Sequence, residues 1–273
     1  MNTTQHTSES APGCDKTNDA LGISMVVFDT EHNIVQKSID SIFESNIPVE
    51  ITLIDNSEKE LYKDFSELNK VNYIANEKNI GYGCANNLSV KNCSLKNPFH
   101  VIMNPDVILN KNCLNLLSNL MSHNSEITVT MPKVLNADGS LQDLHCKLPR
   151  PFTLLSRRFL PRFISNKFRN LEDGIQKSQN YNTISVASGA FMFFRKSAYL
   201  KIGGFDERFF LYLEDIDLSK RIVEIGPIAY CPKAEITHYY ARHSYNTLRS
   251  LVWHCISATQ YFNKWGWWPL FKS

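Results

Sequence analysis

The stretch LGISMVVFDTEHNIVQKSIDSIFESNIPVEITLIDN, residues 21–56, decides the architecture. Its apolar runs LGISMVVF (21–28) and VEITLIDN (49–56) flank a helical pattern through Ile34, Val35, Ile39, Ile42 and Phe43. The alternation then continues down the chain. A helix is expected near 58–69, VNYIA leads into a helix from about 83, and FHVIMNPDV leads into one over 111–122. Strands alternating with helices build an α/β fold, a mostly parallel sheet flanked by helices and joined by right-handed crossovers. Such sheets bind ligands beyond the carboxyl ends of their strands. The polar residues that close these strands, Asp29, Asp55, Asn56, Asn104 and Asp106, therefore converge on one rim.

Outward from that core the pattern changes. EITVTMPKVL (126–135) reads as a strand, and Asn136-Ala-Asp-Gly139 as a turn. SVASGAFMFF (185–194) is a further strand, a short helix lies within GGFDERFFLYLEDIDLSKRIVEIG (203–226), and PIAYCPKAEITH (227–238) reads as a strand pair. A closing helix starts near 247. No repeat and no linker interrupts the sequence, so residues 21–263 are expected to form one continuous domain. Its parts are a first half (21–125), a second half (126–246) and a C-terminal helix (247–263). Residues 1–20, rich in Ser, Thr and Asn, read as a disordered leader, and 264–273 as an aromatic tail.

Composition narrows the function. Twenty-nine basic and 27 acidic side chains leave a formal charge of +2, so no global field recruits nucleic acid. Seven scattered cysteines with no CxxC pair fit neither a disulfide framework nor a thiolate metal site, and point to reduced thiols in a cytoplasm. No apolar run approaches the roughly 20 residues of a membrane span.

Five short elements carry chemistry. Asn104-Pro105-Asp106 follows the strand FHVIM, and a hard divalent ion on a diphosphate needs only one or two protein carboxylates, the rest being phosphate oxygens and water. The same residue types also form turns. Asp55-Asn56 can accept from a nucleobase N–H or a ribose hydroxyl, or cap the next helix. In NEKNIGYGCANN (76–87), Gly81 and Gly83 permit close backbone approach to a ligand at a helix N-terminus. There is no GxGxxG and no GxxxxGK[ST], which argues against dinucleotide and P-loop sites. YLEDIDLSKR (212–221) crowds Glu214, Asp215 and Asp217 into one helical turn, where the helix dipole and an Asp217–Arg221 pair explain two of the three acids. Crowding raises a carboxylate's pKa, and a positioned carboxylate can take a proton from an attacking hydroxyl. In ITHYYARHSYN (236–246), His238 can complete a metal shell and Arg242 can neutralise a diphosphate.

In this order the five elements resemble the family 2 glycosyltransferases, in particular the bacterial rhamnosyltransferases that extend lipid-linked O-antigen precursors. The resemblance spans roughly residues 23–262 and is most specific over GAFMFFRKSAYLKIGGFDERFFLYLEDIDLSKR (189–221), YCPKAEITHYYARHS (230–244) and VWHCISATQYF (252–262). It implies a GT-A fold, a nucleoside-diphosphate sugar donor, Mg²⁺ or Mn²⁺, and inversion at the anomeric carbon. By the same resemblance Asp55 contacts the nucleobase, Asp106 is the metal carboxylate of a DxD-type motif, Asp215 is the general base with Glu214 beside it, and His238 helps bind metal or diphosphate. Phe28-Asp29-Thr30 stands where the family carries Thr-Tyr-Asn, and Asn104 replaces the first acid of DxD. The expected donor is dTDP-rhamnose and the expected acceptor a polyprenyl-diphosphate-linked saccharide. UDP-hexose or UDP-N-acetylhexosamine donors are the alternative. A sugar nucleotidyltransferase fits less well, since the segment from Leu21 has no glycine-rich basic loop.

Between Lys147 and Arg169 lie seven basic residues and no acid, interleaved with Phe and Leu. Such a segment reads as a peripheral contact with an anionic membrane, each near-surface cation contributing on the order of 1 kcal/mol. Trp265, Trp267 and Trp268 near the end favour a headgroup region. The expected location is the inner face of the bacterial cytoplasmic membrane.

Overall fold

The computed structural model describes residues 20–45, 47–93, 96–142, 176–177, 181–239 and 248–267. Their strands form a ten-stranded sheet. β1 (Leu21–Val27), β2 (Val49–Asp55), β3 (Val71–Ala75) and β4 (Phe99–Met103) are parallel in the order β3-β2-β1-β4. Every residue of β1 and β4 is buried, as continuous apolar runs require when both faces of a parallel sheet are covered. Helix α1 (His32–Phe43) buries Val35, Ile39 and Ile42 against one face. Its buried Ser38 and Ser41 face the same way for a different reason. Ser38 Oγ donates to the Val107 carbonyl at 2.7 Å and Ser41 Oγ accepts from the Leu109 amide at 3.0 Å. They supply partners for β5 (Val107–Leu109), the short strand that leaves the Asn104-Pro105-Asp106 turn.

Helix α2 (Tyr82–Asn92) lies against the opposite face, and α3 (Cys113–His123) packs on β6 (Val129–Asn136) and β10 (Ile228–His238). β6 and β10 are parallel, while β9 (Phe191–Arg195) runs antiparallel between β4 and β6. β8 (Asn182–Ile184) extends the far edge antiparallel to β10, and β7 (Gln176–Lys177) pairs antiparallel to β8. The reversal at β9 brings its N-terminal end to the rim where β4 ends: Met103 pairs with Phe191, and the Asn104 amide donates to the Ala190 carbonyl at 2.9 Å. Helix α4 (Lys196–Lys201) follows, then α5 (Glu214–Ile222) and α6 (Leu248–Trp265).

Two elements differ from the sequence reading. The helix expected near 58–69 is only a 3-10 turn over Lys63–Glu67, because its core-facing apolar residues Tyr62, Phe65 and Leu68 recur every three residues in a charged segment, the spacing of a 3-10 turn. The expected strand pair over 227–238 is one continuous strand. Pro232 lacks an amide for the ladder, and the chain absorbs it as a bulge between Cys231 and Glu235 without turning back. The five cysteines described are free. No helix among the described residues is long and apolar enough to cross a membrane. The 147–169 segment and Trp268 lie outside the described residues.

Candidate active site

At the end of β2, Asp55 is fully buried and held by the chain. Its Oδ1 accepts from the Ser57 amide at 2.7 Å and the Ser57 hydroxyl at 2.6 Å, and Tyr73 donates to Oδ2 at 2.7 Å. Burial first, then Asp55, keeps the Tyr73 phenol above its ordinary pKa, so it stays a donor. Two donors fill the lone pairs of Oδ1, and Oδ2, with one donor, keeps one for a ligand. The Asn56 side chain is spent locally, donating to the Gly81 carbonyl at 3.4 Å and accepting from Asn76 at 2.8 Å. Beside them a cavity of about 330 Å³ is lined by Phe28, Asp29, Ser57, Leu61, Asn79 and Arg249. Asp29 reaches it from a left-handed turn (φ 51°), and Arg249 comes from α6. Neither Tyr73 nor Arg249 carried a signal in the sequence, since both arrive by register and by packing of a distant helix.

Pairing of β5 with β10 sets Val107 opposite His238, and the Tyr239 amide donates to the Asp106 carbonyl at 2.9 Å. Asp106 Oδ1 then lies 3.3 Å from His238 Nε2. That oxygen is buried and accepts no hydrogen bond, which is costly unless a ligand or ion completes it. His238 Nδ1 contacts Gln142 Oε1 at 2.9 Å, fixing the ring from behind. No group of three His, Cys, Asp or Glu able to hold a metal forms among the described residues. One carboxylate and one imidazole fit an ion whose remaining ligands are phosphate oxygens and water.

Gly81 and Gly83 make their close approach to the chain itself. A Cβ on Gly81, whose φ is +88°, would sit 2.6 Å from the Phe210 carbonyl oxygen, and one on Gly83 2.9 Å from Phe205 Cβ. These glycines let α2 dock on the 205–210 segment. The segment then turns sharply into α5. Tyr212 and Leu213 both adopt left-handed backbone (φ 69° and 64°), at about 1–3 kcal/mol each. α6 holds this turn: Ser257 Oγ donates to the Leu211 carbonyl at 2.7 Å, Trp253 stacks on Phe210 at 4.2 Å, and Tyr261 and Phe262 pack with Phe209 and Leu213.

The turn delivers the three acids of α5 to different environments. Asp217 is fully buried and structural, bonded by Arg221 at 2.9 Å, Trp265 at 2.8 Å and Lys264 at 2.7 Å. Glu214 is buried, and burial and the adjacent Asp215 push its carboxyl up to about 8. Its Oε2 accepts no hydrogen bond. Asp215 is half-buried; its Oδ2 accepts from the Gly189 amide at 3.0 Å and its Oδ1 from the Ile216 amide at 2.8 Å. Since Gly189 adjoins Ala190, the partner of Asn104, the carboxylate of Asp215 and the Asn104-Pro105-Asp106 turn share one rim. A carboxylate held so can accept a proton from a hydroxyl. Arg242 lies outside the described residues.

Sheet and rim define an α/β fold whose ligand edge lies at the carboxyl ends of its parallel strands. The chain belongs to glycosyltransferase family 2: the family model described as "Glycosyltransferase like family 2" matches residues 24–252. It is similar to the N-acetylglucosaminyl-diphospho-decaprenol L-rhamnosyltransferase of Mycobacterium tuberculosis, 26% identical over 174 residues that cover 60% of this chain. That match spans only 57% of the relative's length. It is also similar to the rhamnosyltransferase WbbL of Escherichia coli K12, 28% identical over 66% of this chain and 69% of that protein. Among solved structures, GalNAc-T7 with UDP, GalNAc and Mn²⁺ superposes with a TM-score of 0.60 at 15% identity, covering 81% of this chain and 44% of that one. The mannosyltransferase PcManGT of Pyrobaculum calidifontis, with GDP-Man and Mn²⁺, gives 0.58 at 13% identity, over 88% and 64%. These neighbours establish the GT-A fold.

Proposed function

We propose that the chain transfers a sugar, with inversion, from a nucleoside diphosphate to a lipid-linked saccharide of a bacterial surface polysaccharide, and that L-rhamnose from dTDP-rhamnose is the donor group. The observation that carries this reading is Asp215, fixed by the Gly189 amide on the rim that also holds Asp106. Asp215 takes the proton of the acceptor hydroxyl, the hydroxyl oxygen attacks the anomeric carbon from the face opposite the diphosphate, and the bond to the diphosphate breaks. Asp55 and the cavity beside it hold the nucleoside, while Asp106 and His238 would hold Mg²⁺ or Mn²⁺. Such an ion, when bound, neutralises charge developing on the leaving diphosphate. The two rhamnosyltransferase relatives support the sugar, and the decaprenol in one relative's name supports a polyprenyl acceptor. The basic 147–169 segment and the exposed Trp267 support a peripheral seat on the inner face of an anionic membrane.

The test is release of nucleoside diphosphate from a panel of dTDP-, UDP- and GDP-sugars mixed with a synthetic N-acetylglucosaminyl-diphospho-prenol. dTDP-rhamnose is expected to turn over fastest. Turnover of a UDP-hexose alone overturns the donor, and turnover of none with any prenol acceptor overturns the reading.

A further inference from the structure

One tripeptide, Gly81-Tyr82-Gly83, touches both ends of the rim. The Gly81 carbonyl accepts from Asn56, next to Asp55, at 3.4 Å. The Tyr82 amide donates to the Phe210 carbonyl at 3.1 Å, at the entry to the strained turn before α5. The Tyr82 hydroxyl reaches across the molecule and donates to the Gly189 carbonyl at 2.6 Å. Gly189 is in turn the residue whose amide holds Asp215 Oδ2 at 3.0 Å. A Cβ built on Gly189 would stand 3.4 Å from Asp215 Cβ and 3.6 Å from the Tyr82 ring, so the glycine is packed between the two side chains.

We infer that Tyr82 is a positioning residue for Asp215, acting through Gly189, and that it ties the donor side of the rim to the proton-accepting side. The inference rests on the reading of Asp215 as the base. Gly189 lies in a segment, Ser185–Ala190, that belongs to no strand or helix, so its orientation depends on the partners of its polar groups. On one side is the Asp215 carboxylate and on the other the phenol of Tyr82. Burial, then Glu214 and Asp215, push that phenol well above its ordinary pKa, so it remains an O–H donor at every working pH. α5 is stitched to the same segment a second time, where the Ala187 amide donates to Ser219 Oγ at 3.0 Å. This second bond keeps α5 docked when the first is loosened. Loss of the Tyr82 hydroxyl frees the Gly189–Ala190 peptide, and rotation about the Gly189 Cα carries that freedom to the Gly189 amide that holds Asp215 without unfolding the site. A small misplacement of a catalytic group is enough to cost on the order of a hundredfold in rate.

Tyr82→Phe keeps the ring and removes only the bond. The expected result, with dTDP-rhamnose and the synthetic prenol acceptor, is a roughly tenfold to hundredfold lower kcat. The KM for donor stays within about twofold, and backbone hydrogen exchange is faster over residues 188–190 alone. Unchanged kcat overturns the inference, and so does a raised donor KM at unchanged kcat, which makes Tyr82 a donor contact. Asp215→Asn is run beside it. Inactive Asp215→Asn with fully active Tyr82→Phe removes the inference and leaves the base assignment standing, whereas active Asp215→Asn removes both. The exchange measurement needs no substrate: protection at 188–190 equal to wild type shows that the hydroxyl does not hold the segment, whatever the reaction proves to be.

Discussion

The two ends of the rim are built to opposite rules. At the end proposed to take the donor, Asp55 closes a strand of the parallel sheet with both oxygens hydrogen-bonded, by Ser57 and Tyr73, and that strand is paired on each side. At the other end, Glu214 is buried with an oxygen that accepts no hydrogen bond, after two consecutive left-handed residues that are not glycine. The end whose acid is hydrogen-bonded at both oxygens suits recognition, where a ligand must find a site already formed. The strained end suits chemistry, since strain and missing partners persist only where surrounding packing imposes them, here through α6. Asp106 lies between the two, anchored by backbone like Asp55 yet carrying an oxygen without a hydrogen bond like Glu214.

The largest effects are expected where the chemistry is placed. Asp215→Asn should lower kcat by roughly 10² to 10⁴ with donor affinity retained, because general-base catalysis contributes on that scale. Asp106→Ala should cost a similar factor and also weaken binding of Mn²⁺ in the presence of dTDP, as read by calorimetry. Circular dichroism of both variants should match the wild type. Near wild-type turnover in Asp215→Asn would erase the distinction between the two ends.

A smaller effect separates recognition from chemistry. Tyr73→Phe removes one hydrogen bond to Asp55, worth about 1–2 kcal/mol, and should raise the donor KM roughly tenfold with kcat unchanged. A fall in kcat at constant KM would show that Asp55 is more than a nucleoside contact.

The same contrast explains what the sequence disclosed. β1 and β4 were legible because strands buried on both faces read as nearly continuous apolar runs, β2 because Val49, Ile51, Leu53 and Ile54 stand between the half-buried Glu50 and Thr52, and a polar residue ending such a strand has one place to go. The acids of α5 were visible as a crowd. The pairing of Asp217 with Arg221 was read from the i,i+4 spacing and is present, but its ion pair with Lys264 and the hydrogen bond from Trp265, some 47 residues on, are encoded by no local pattern. Tyr73, Tyr82, Gln142 and Gly189 escaped for the same reason. Each works through register or through a contact between halves, and each looks like an ordinary residue in its own segment. The antiparallel β9 was the largest gap, since its apolar run does not state its direction, and that direction is what brings Gly189 beside Asn104.

The smallest and most specific effect concerns Glu214. Burial and Asp215 raise its carboxyl from 4.5 to about 8, so the folded chain keeps a proton that the unfolded chain releases above about 4.5. The folded state binds more protons throughout this window, and stability must therefore fall as pH rises from 4.5 to 8, by on the order of a few kcal/mol. Glu214→Gln cannot ionise. Its melting temperature should match the wild type near pH 5 and exceed it by several degrees at pH 8, the difference growing steadily between. His100, buried on β4 with its pKa lowered to about 3 by burial and Lys196, has the opposite sign, since it withholds a proton the unfolded chain takes up below 6.5. Its contribution is common to both proteins and cancels in the difference. A difference that stays flat from pH 5 to 8 would mean that Glu214 is solvated in the folded chain, and that its end of the rim is built no differently from the end at Asp55.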